Sequence, residues 1–278
     1  MRYRWKHGAP RCAFVTGAAS GLGLIVARTL IAEGSSVALF DLRFSQELRG
    51  DLQAAGKPGQ KVEFYEFDIS DRGAVHTAVD VAAAAVGPPD LALNAAGILL
   101  AAPYGQIDDD GFRKVIEVNL LGTHYFASAV LNHMQRGGHL ALIASMAGKI
   151  GNYAYGAYCA SKFGVTGIAE VLRVEMIERG IDVTAICPAE IETPMVLTER
   201  ETMHPVTREL KAFPGVLQPE PAAEMMLRGI AARKPVVVMG LRPKLTLVMA
   251  SLFPGAARWV TRQLVTGALR KMKRSGAG

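Results

Sequence analysis

Short apolar runs alternate with longer stretches of helical periodicity along most of this chain. Cys12 to Thr16 is apolar and ends at Gly17, which reads as a buried strand. From Gly21 to Glu33 the residues Leu24, Ile25, Ala27, Leu30 and Ile31 recur at helical spacing, and Gly34 is the expected C-cap. A strand at Ser36–Phe40, a helix near 45–55 and a strand at Val62–Glu66 follow, with Lys57-Pro58-Gly59 as a turn. Ser70 or Asp71 can cap a helix running to Ala85, which Gly87-Pro88-Pro89 stops, and Leu91–Asn94 is a fourth strand. A long helix over 109–134, a strand over His139–Ala144, a helix over Tyr155–Glu178, a strand over Ile181–Cys187 and a last short strand over Pro235–Met239 complete the series. Such alternation predicts βαβ units and an α/β fold, a Rossmann-type doubly wound parallel sheet. Residues 1–240 read as one domain, and 241–278 as a basic amphipathic C-terminal extension.

Composition narrows the class. Half of the 278 residues are apolar and the net charge is only +6, so disorder is excluded for most of the chain. Three widely spaced cysteines, Cys12, Cys159 and Cys187, form neither a disulfide framework nor a zinc pattern, which fits a reducing cytoplasm. The basic N-terminus lacks the apolar stretch of a signal peptide. Residues 241–278 hold eight Lys/Arg and no acid, against 23 basic and 25 acidic residues before them. The positive charge therefore belongs to the tail, and a body-wide nucleic-acid footprint is not supported.

Thr16-Gly17-Ala18-Ala19-Ser20-Gly21-Leu22-Gly23 lies where the first strand passes into the first helix. Glycines permit a tight turn and close approach of a pyrophosphate, which helix N-terminal amides bind. Asp41, twenty residues past Gly21 at the end of the second strand, can accept both hydroxyls of a ribose and would repel a 2′-phosphate. NAD(H) is the expected cofactor. NADP(H) fits less well, although Arg43 is placed to meet a 2′-phosphate.

Tyr158 and Lys162 stand at i and i+4, sharing one helix face. Lowering a phenol pKa by ~3 units takes ~4 kcal/mol. A cation ~4 Å away at an effective dielectric of ~20 supplies about that much. Tyr158 then becomes a general acid/base for an alcohol or carbonyl. Ser145, just past the fifth strand, can donate to a substrate oxygen, since ligands bind at carboxyl ends of strands in open α/β sheets. Asn119, inside a largely apolar helix, is a buried amide that needs a partner, catalytic or structural.

Together these residues resemble the short-chain dehydrogenases/reductases over roughly residues 10–240. The glycine turn is similar to the family's T-G-x-x-x-G-x-G, and Asn94-Ala95-Ala96-Gly97 to its N-[NA]-A-G motif. Asn119, Ser145, Tyr158 and Lys162 match the catalytic tetrad in order and spacing. The resemblance implies that Tyr158 exchanges the proton and that Ser145 polarises the substrate oxygen. It gives Lys162 the nicotinamide ribose and the tuning of Tyr158, and Asn119 a water linking Lys162 to solvent. Asp68 would contact adenine, Ile191 and Thr193 would hold the carboxamide, and Ile69 and Pro188 would bind the cofactor beside them. The family's usual Pro-Gly is Pro188-Ala189 here. If that position needs φ > 0, alanine costs on the order of 1 kcal/mol. A homodimer or homotetramer through the helices at 109–134 and 155–178 is likewise implied.

The loop 146–156, with Ile150, Asn152, Tyr153 and Tyr155, and the stretch 195–215, with Met195, Val196, Leu197, Met203 and Phe213, are expected to face a hydrophobic alcohol or ketone. In 245–274, Leu245, Val248, Leu252, Trp259, Val260, Leu264 and Leu269 recur at helical spacing among basic residues, broken near Pro254-Gly255. This predicts peripheral membrane contact. A helix packed on its own subunit or a neighbour reads equally well. The alternatives to an NAD-dependent alcohol dehydrogenase or ketone reductase are a non-catalytic NAD(P)-binding regulator, a membrane-associated scaffold, and an epimerase or dehydratase on the same fold.

Overall fold

The apolar run Cys12–Thr16 forms β1, and every residue of it is buried. Helices cover both faces of the sheet around it, which is why the run lacks polar alternation. Its side chains still divide by the strand period: Ala13 and Val15 enter one core, Cys12 and Phe14 the other. β2 (Ser36–Asp41) divides alike, with Val37 and Leu39 opposite Ala38 and Phe40. The computed structural model describes residues 3–193, 196–197, 203–212 and 215–274. Met195 and Phe213, assigned above to the substrate wall, lie outside them.

The other strands are β3 (Val62–Glu66), β4 (Leu91–Asn94), β5 (His139–Ile143), β6 (Asp182–Cys187) and β9 (Val236–Val238), with a separate short pair, β7 (Glu190–Ile191) and β8 (Val216–Leu217). The main sheet has the order β3-β2-β1-β4-β5-β6-β9, parallel throughout. Strand order reverses between β1 and β4, and a crevice opens at their carboxyl ends. On one face α1 (Gly21–Glu33) and α8 (Pro219–Ala231) bury Leu30, Ile31, Met226 and Leu227. On the other, α3 (Arg72–Val86), α5 (Gly122–His133) and α6 (Gly156–Glu175) bury Val79, Phe126, Val130 and Val165. The Phe40 ring lies 5.5 Å from Phe14 and 5.9 Å from Phe126, a cluster that ties β1 and β2 to α5.

Caps set the helix starts. Ser45 Oγ accepts from Leu48 N at 3.1 Å ahead of α2 (Gln46–Ala54), and Asp71, rather than Ser70, caps α3 by accepting from Ala74 N at 3.0 Å. The expected helix over 109–134 is not continuous. α4 (Asp109–Ile116) passes through a π-helical turn at Glu117–Leu121 before α5, and Asn119 sits on that turn. α8 was not expected from the pattern; it starts on Pro219, a residue suited to a first helical turn. Beyond β9 come α9 (Leu241–Leu252) and α10 (Pro254–Arg274), separated where Pro254 starts the second helix. α10 packs along α7 (Pro205–Ala212): Ala268 is buried there, and Lys271 Nζ donates to Glu209 Oε1 at 2.9 Å. Among the described residues no helix is long and apolar enough to cross a membrane.

Candidate active site

A cavity of about 290 Å³ occupies the crevice at the carboxyl ends of β1 and β4. Two glycines of the turn after β1 are required by packing. A Cβ on Gly23 would stand 2.1 Å from Gly17 O, and one on Gly17, where φ is +63°, would stand 2.8 Å from the Ala95 backbone. Ser20 precedes α1 without capping it through its side chain, and no acid occupies the first turn, so the helix offers its amides to an anion. Asp41 closes the far side of the cavity. Its Oδ2 accepts from Ala19 N at 2.9 Å and its Oδ1 from Leu42 N at 2.7 Å, which fixes the carboxylate. Arg43 is exposed and off this wall.

The glycine turn (Gly17, Ser20, Gly21, Leu22, Gly23), Asp68, Ile69, Ala95, Ala96 and Gly97 all line this cavity. So do Tyr158, Lys162, Pro188, Ile191 and Thr193. The side chain of Asn94 is not on this wall. It is buried behind the wall, hydrogen-bonded with Thr16 Oγ1 and donating to Thr123 Oγ1 at 2.7 Å, and so joins β1, β4 and α5. Lys114 of α4 was not anticipated. Its Nζ donates to Asp68 Oδ2 at 3.0 Å on the cavity wall. Burial pushes the Asp68 carboxyl up, but hydrogen bonds from Ser70 and Lys114 outweigh it and hold the group below its ordinary value. Sequence reasoning could not find Lys114, because only the fold brings α4 beside the Asp68 loop.

At the other end of the cavity stand Tyr158 and Lys162, one turn apart on α6. Lys162 is buried; its Nζ donates to Ile143 O at 2.9 Å and lies 5.6 Å from the centre of the Tyr158 ring. Desolvation lowers its pKa to about 8. Ser145 follows β5, and its Oγ accepts from Ala147 N at 3.0 Å, which keeps its O–H proton for another acceptor. Asn119 is fully buried and its side chain is engaged at both ends. Oδ1 accepts from Ile98 N at 2.8 Å, while Nδ2 donates to Ile98 O at 2.8 Å and to Ser161 Oγ at 3.1 Å. Its side chain is thus a structural amide that clamps the loop after β4 to α6. A Cβ on Gly97 would lie 3.1 Å from Asn119 Oδ1 and 3.6 Å from Lys162 Nζ, so this glycine keeps the three close. Ala189 does not have positive φ, and the strain feared for it is absent.

A second, larger chamber of about 740 Å³ begins where the first ends. Tyr158, Pro188, Ala189 and Val196 border both. Ser145, Ile150, Asn152 and Tyr155 line it as expected. Tyr153 does not: its ring packs 4.8 Å from His204, and its carbonyl accepts from Thr207 Oγ1 at 3.0 Å. Leu197 and the buried Met203 are also off the wall. The far wall comes from α9 and α10, through Leu245, Met249, Phe253, Val260 and Leu264. The sequence pattern grouped Leu245, Val260 and Leu264 with the tail's other apolar residues and gave no sign that they faced a cavity.

With this geometry in hand, the comparisons with known proteins are specific. The short chain dehydrogenase family model matches residues 11–204, and the chain belongs to the short-chain dehydrogenase/reductase family of oxidoreductases. It is 40% identical over 192 residues to 2-dehydro-3-deoxy-L-rhamnonate dehydrogenase (NAD(+)) of Sphingomonas sp. (strain SKA58), covering 68% of this chain and 75% of that protein. It is 32% identical over 220 residues to 3-dehydrosphinganine reductase of Danio rerio, covering 77% of this chain and 66% of that protein. Among solved structures, levodione reductase matches with a TM-score of 0.73 at 28% identity, over 82% of this chain and 95% of that one.

Proposed function

We propose that the protein transfers a hydride between NAD(H) and the carbinol or carbonyl carbon of a hydrophobic alcohol or ketone, with Tyr158 as general acid/base. The observation that carries this reading is that Tyr158 borders both cavities, so one phenol faces a cofactor crevice and an apolar substrate chamber.

The residues fit a dinucleotide. The uncapped start of α1 suits a pyrophosphate, and the fixed Asp41 carboxylate suits a ribose diol and opposes a 2′-phosphate. Asp68 and Ile69 serve the adenine end, and Pro188, Ile191 and Thr193 the carboxamide end. When bound, the nicotinamide supplies or accepts the hydride. Ser145 donates to the substrate oxygen, and Tyr158 gives that oxygen its proton in reduction or takes it in oxidation. Lys162 in its ammonium form lies 5.6 Å from the centre of the Tyr158 ring, where it favours negative charge on the phenol, and it holds ribose hydroxyls. Asn119 positions the loop after β4 and, through Ser161, the stretch of α6 beside Lys162.

The two relatives' names point to substrates of opposite polarity, a sugar acid and a long-chain amino ketone. The chamber wall of Leu245, Met249, Phe253, Val260 and Leu264 supports the apolar class, and its volume of about 740 Å³ suits a sizeable molecule. Exposed Phe163, Val171 and Val174 on α6 support assembly into a homodimer or homotetramer through that helix. Calorimetric titration tests the cofactor: NADH binds at least roughly tenfold tighter than NADPH. Turnover with that cofactor then favours long-chain ketones over polyols and sugar acids. Binding of neither nucleotide, or a preference for sugar acids, overturns the reading.

A further inference from the structure

We infer that α9 and α10 form an interfacial hairpin that docks the mouth of the substrate chamber on an anionic lipid surface. α10 has two faces. Ala257, Val260, Thr261 and Leu264 line the chamber, whereas Arg258, Trp259, Arg262, Leu269 and Arg270 fall on the opposite side at 100° per residue and are exposed. Lys271 donates to Glu209 on the inner side, which holds the outer stripe away from the body. α9 repeats the division: Leu245 and Met249, with Phe253 just past its end, line the chamber, and Leu241, Val248 and Leu252 form a second exposed stripe at i, i+7 and i+11.

An outer face that joins Trp, Leu and Arg on a helix that does not span a bilayer suits the plane of a membrane interface. Charge selects the occupant. The outer face of α10 presents Arg258, Arg262 and Arg270, and residues 241–278 contain no acid, so a two-fold contact between copies through this face would set like charges together. An anionic bilayer is complementary to it. The inner stripe adds a reason for the placement. Leu245, Met249 and Val260 are 55%, 52% and 43% exposed although they line the chamber. A lipid-dissolved alcohol or ketone would cover them on its way to Tyr158. That last step rests on the proposed function; the docking does not.

The test uses the intact chain, sedimented with vesicles of phosphatidylcholine alone or mixed with phosphatidylglycerol. The protein binds the mixed vesicles and not the neutral ones, binding weakens as salt rises, and tryptophan emission shifts to the blue. Trp259→Phe removes the shift, because Trp5 is partly buried and donates to Glu33 at 2.8 Å. Arg258→Glu, Arg262→Glu and Arg270→Glu together lower vesicle partitioning by about 100-fold or more, with unchanged circular dichroism and NADH affinity. Equal sedimentation with both vesicles, no sedimentation with either, or a triple variant that binds like the parent overturns the docking. So does concentration-dependent self-association in sedimentation velocity that the triple variant abolishes, since the occupant is then a second copy. Loss of NADH binding with vesicle binding intact would instead strike the proposed function and leave the docking standing.

Discussion

The crevice and the chamber meet at Tyr158 but are built by different means. The crevice is made largely of strand ends and the turns that follow them, with Lys114 of α4 and Tyr158 and Lys162 of α6 completing its wall, and backbone amides fix the carboxylate of Asp41. The chamber takes its far wall from two helices more than eighty residues beyond Tyr158, through apolar side chains that stay half exposed. Chemistry common to a family can be held by local backbone geometry, whereas the substrate is met by surfaces that only long-range packing assembles.

Substitutions separate the two regions. Tyr158→Phe removes the group they share: turnover falls at least ~10³-fold while NADH affinity measured by calorimetry stays within about twofold. Lys162→Met lowers kcat by roughly 10²-fold and carries a second signature in stability. Lys162 titrates near 8 in the fold, below its ordinary 10.5, so the folded state binds fewer protons between those values and parent stability rises with pH across that window. The variant, free of a buried charge, is therefore more stable by roughly 1–3 kcal/mol at pH 7. Urea denaturation should show this advantage vanish by about pH 10.5, and a constant difference would deny the burial penalty.

Asp41→Ala acts on the crevice alone and narrows the NADH over NADPH preference by about tenfold in Kd, with no change in the KM of the alcohol or ketone. Val260→Trp acts on the chamber alone: KM for a long-chain ketone rises several-fold, NADH affinity holds, and a parallel change in both would show that the regions are coupled.

The same contrast explains what could be read beforehand. β1, β3 and β4 have the bounds the sequence pattern predicts: β1 and β4 are buried along their whole length, and β3, at the sheet edge, is set by its apolar residues Val62, Phe64 and Tyr65. The placement of the glycine turn, Tyr158 and Lys162 at the crevice and of Ser145 at the chamber was legible because spacing along the chain sets them at strand ends or on one helix face. The π turn at Asn119 was hidden, because one extra residue per turn leaves an apolar helix apolar. The direction of the Asn94 side chain was hidden for a related reason: its neighbours Ala95 to Gly97 reach the cavity, but its own side chain bonds with Thr16 and Thr123. The chamber wall was least legible. α9 bears two apolar stripes and α10 has apolar residues on both its faces, and nothing in a periodic sequence says which of them has a cavity behind it.

Ala189 has a consequence for the unfolded chain. Since its backbone lies outside the left-handed region, the alanine fits the fold without strain where the family's usual glycine would also fit. The methyl group acts before folding, by removing conformations that a glycine there would sample. Ala189→Gly should therefore loosen the denatured ensemble and lower stability by roughly 0.4–1 kcal/mol. Calorimetry would read this as a Tm lower by about 1–4 °C. The departure from the family's pattern is then a small entropic brace where the two cavities meet.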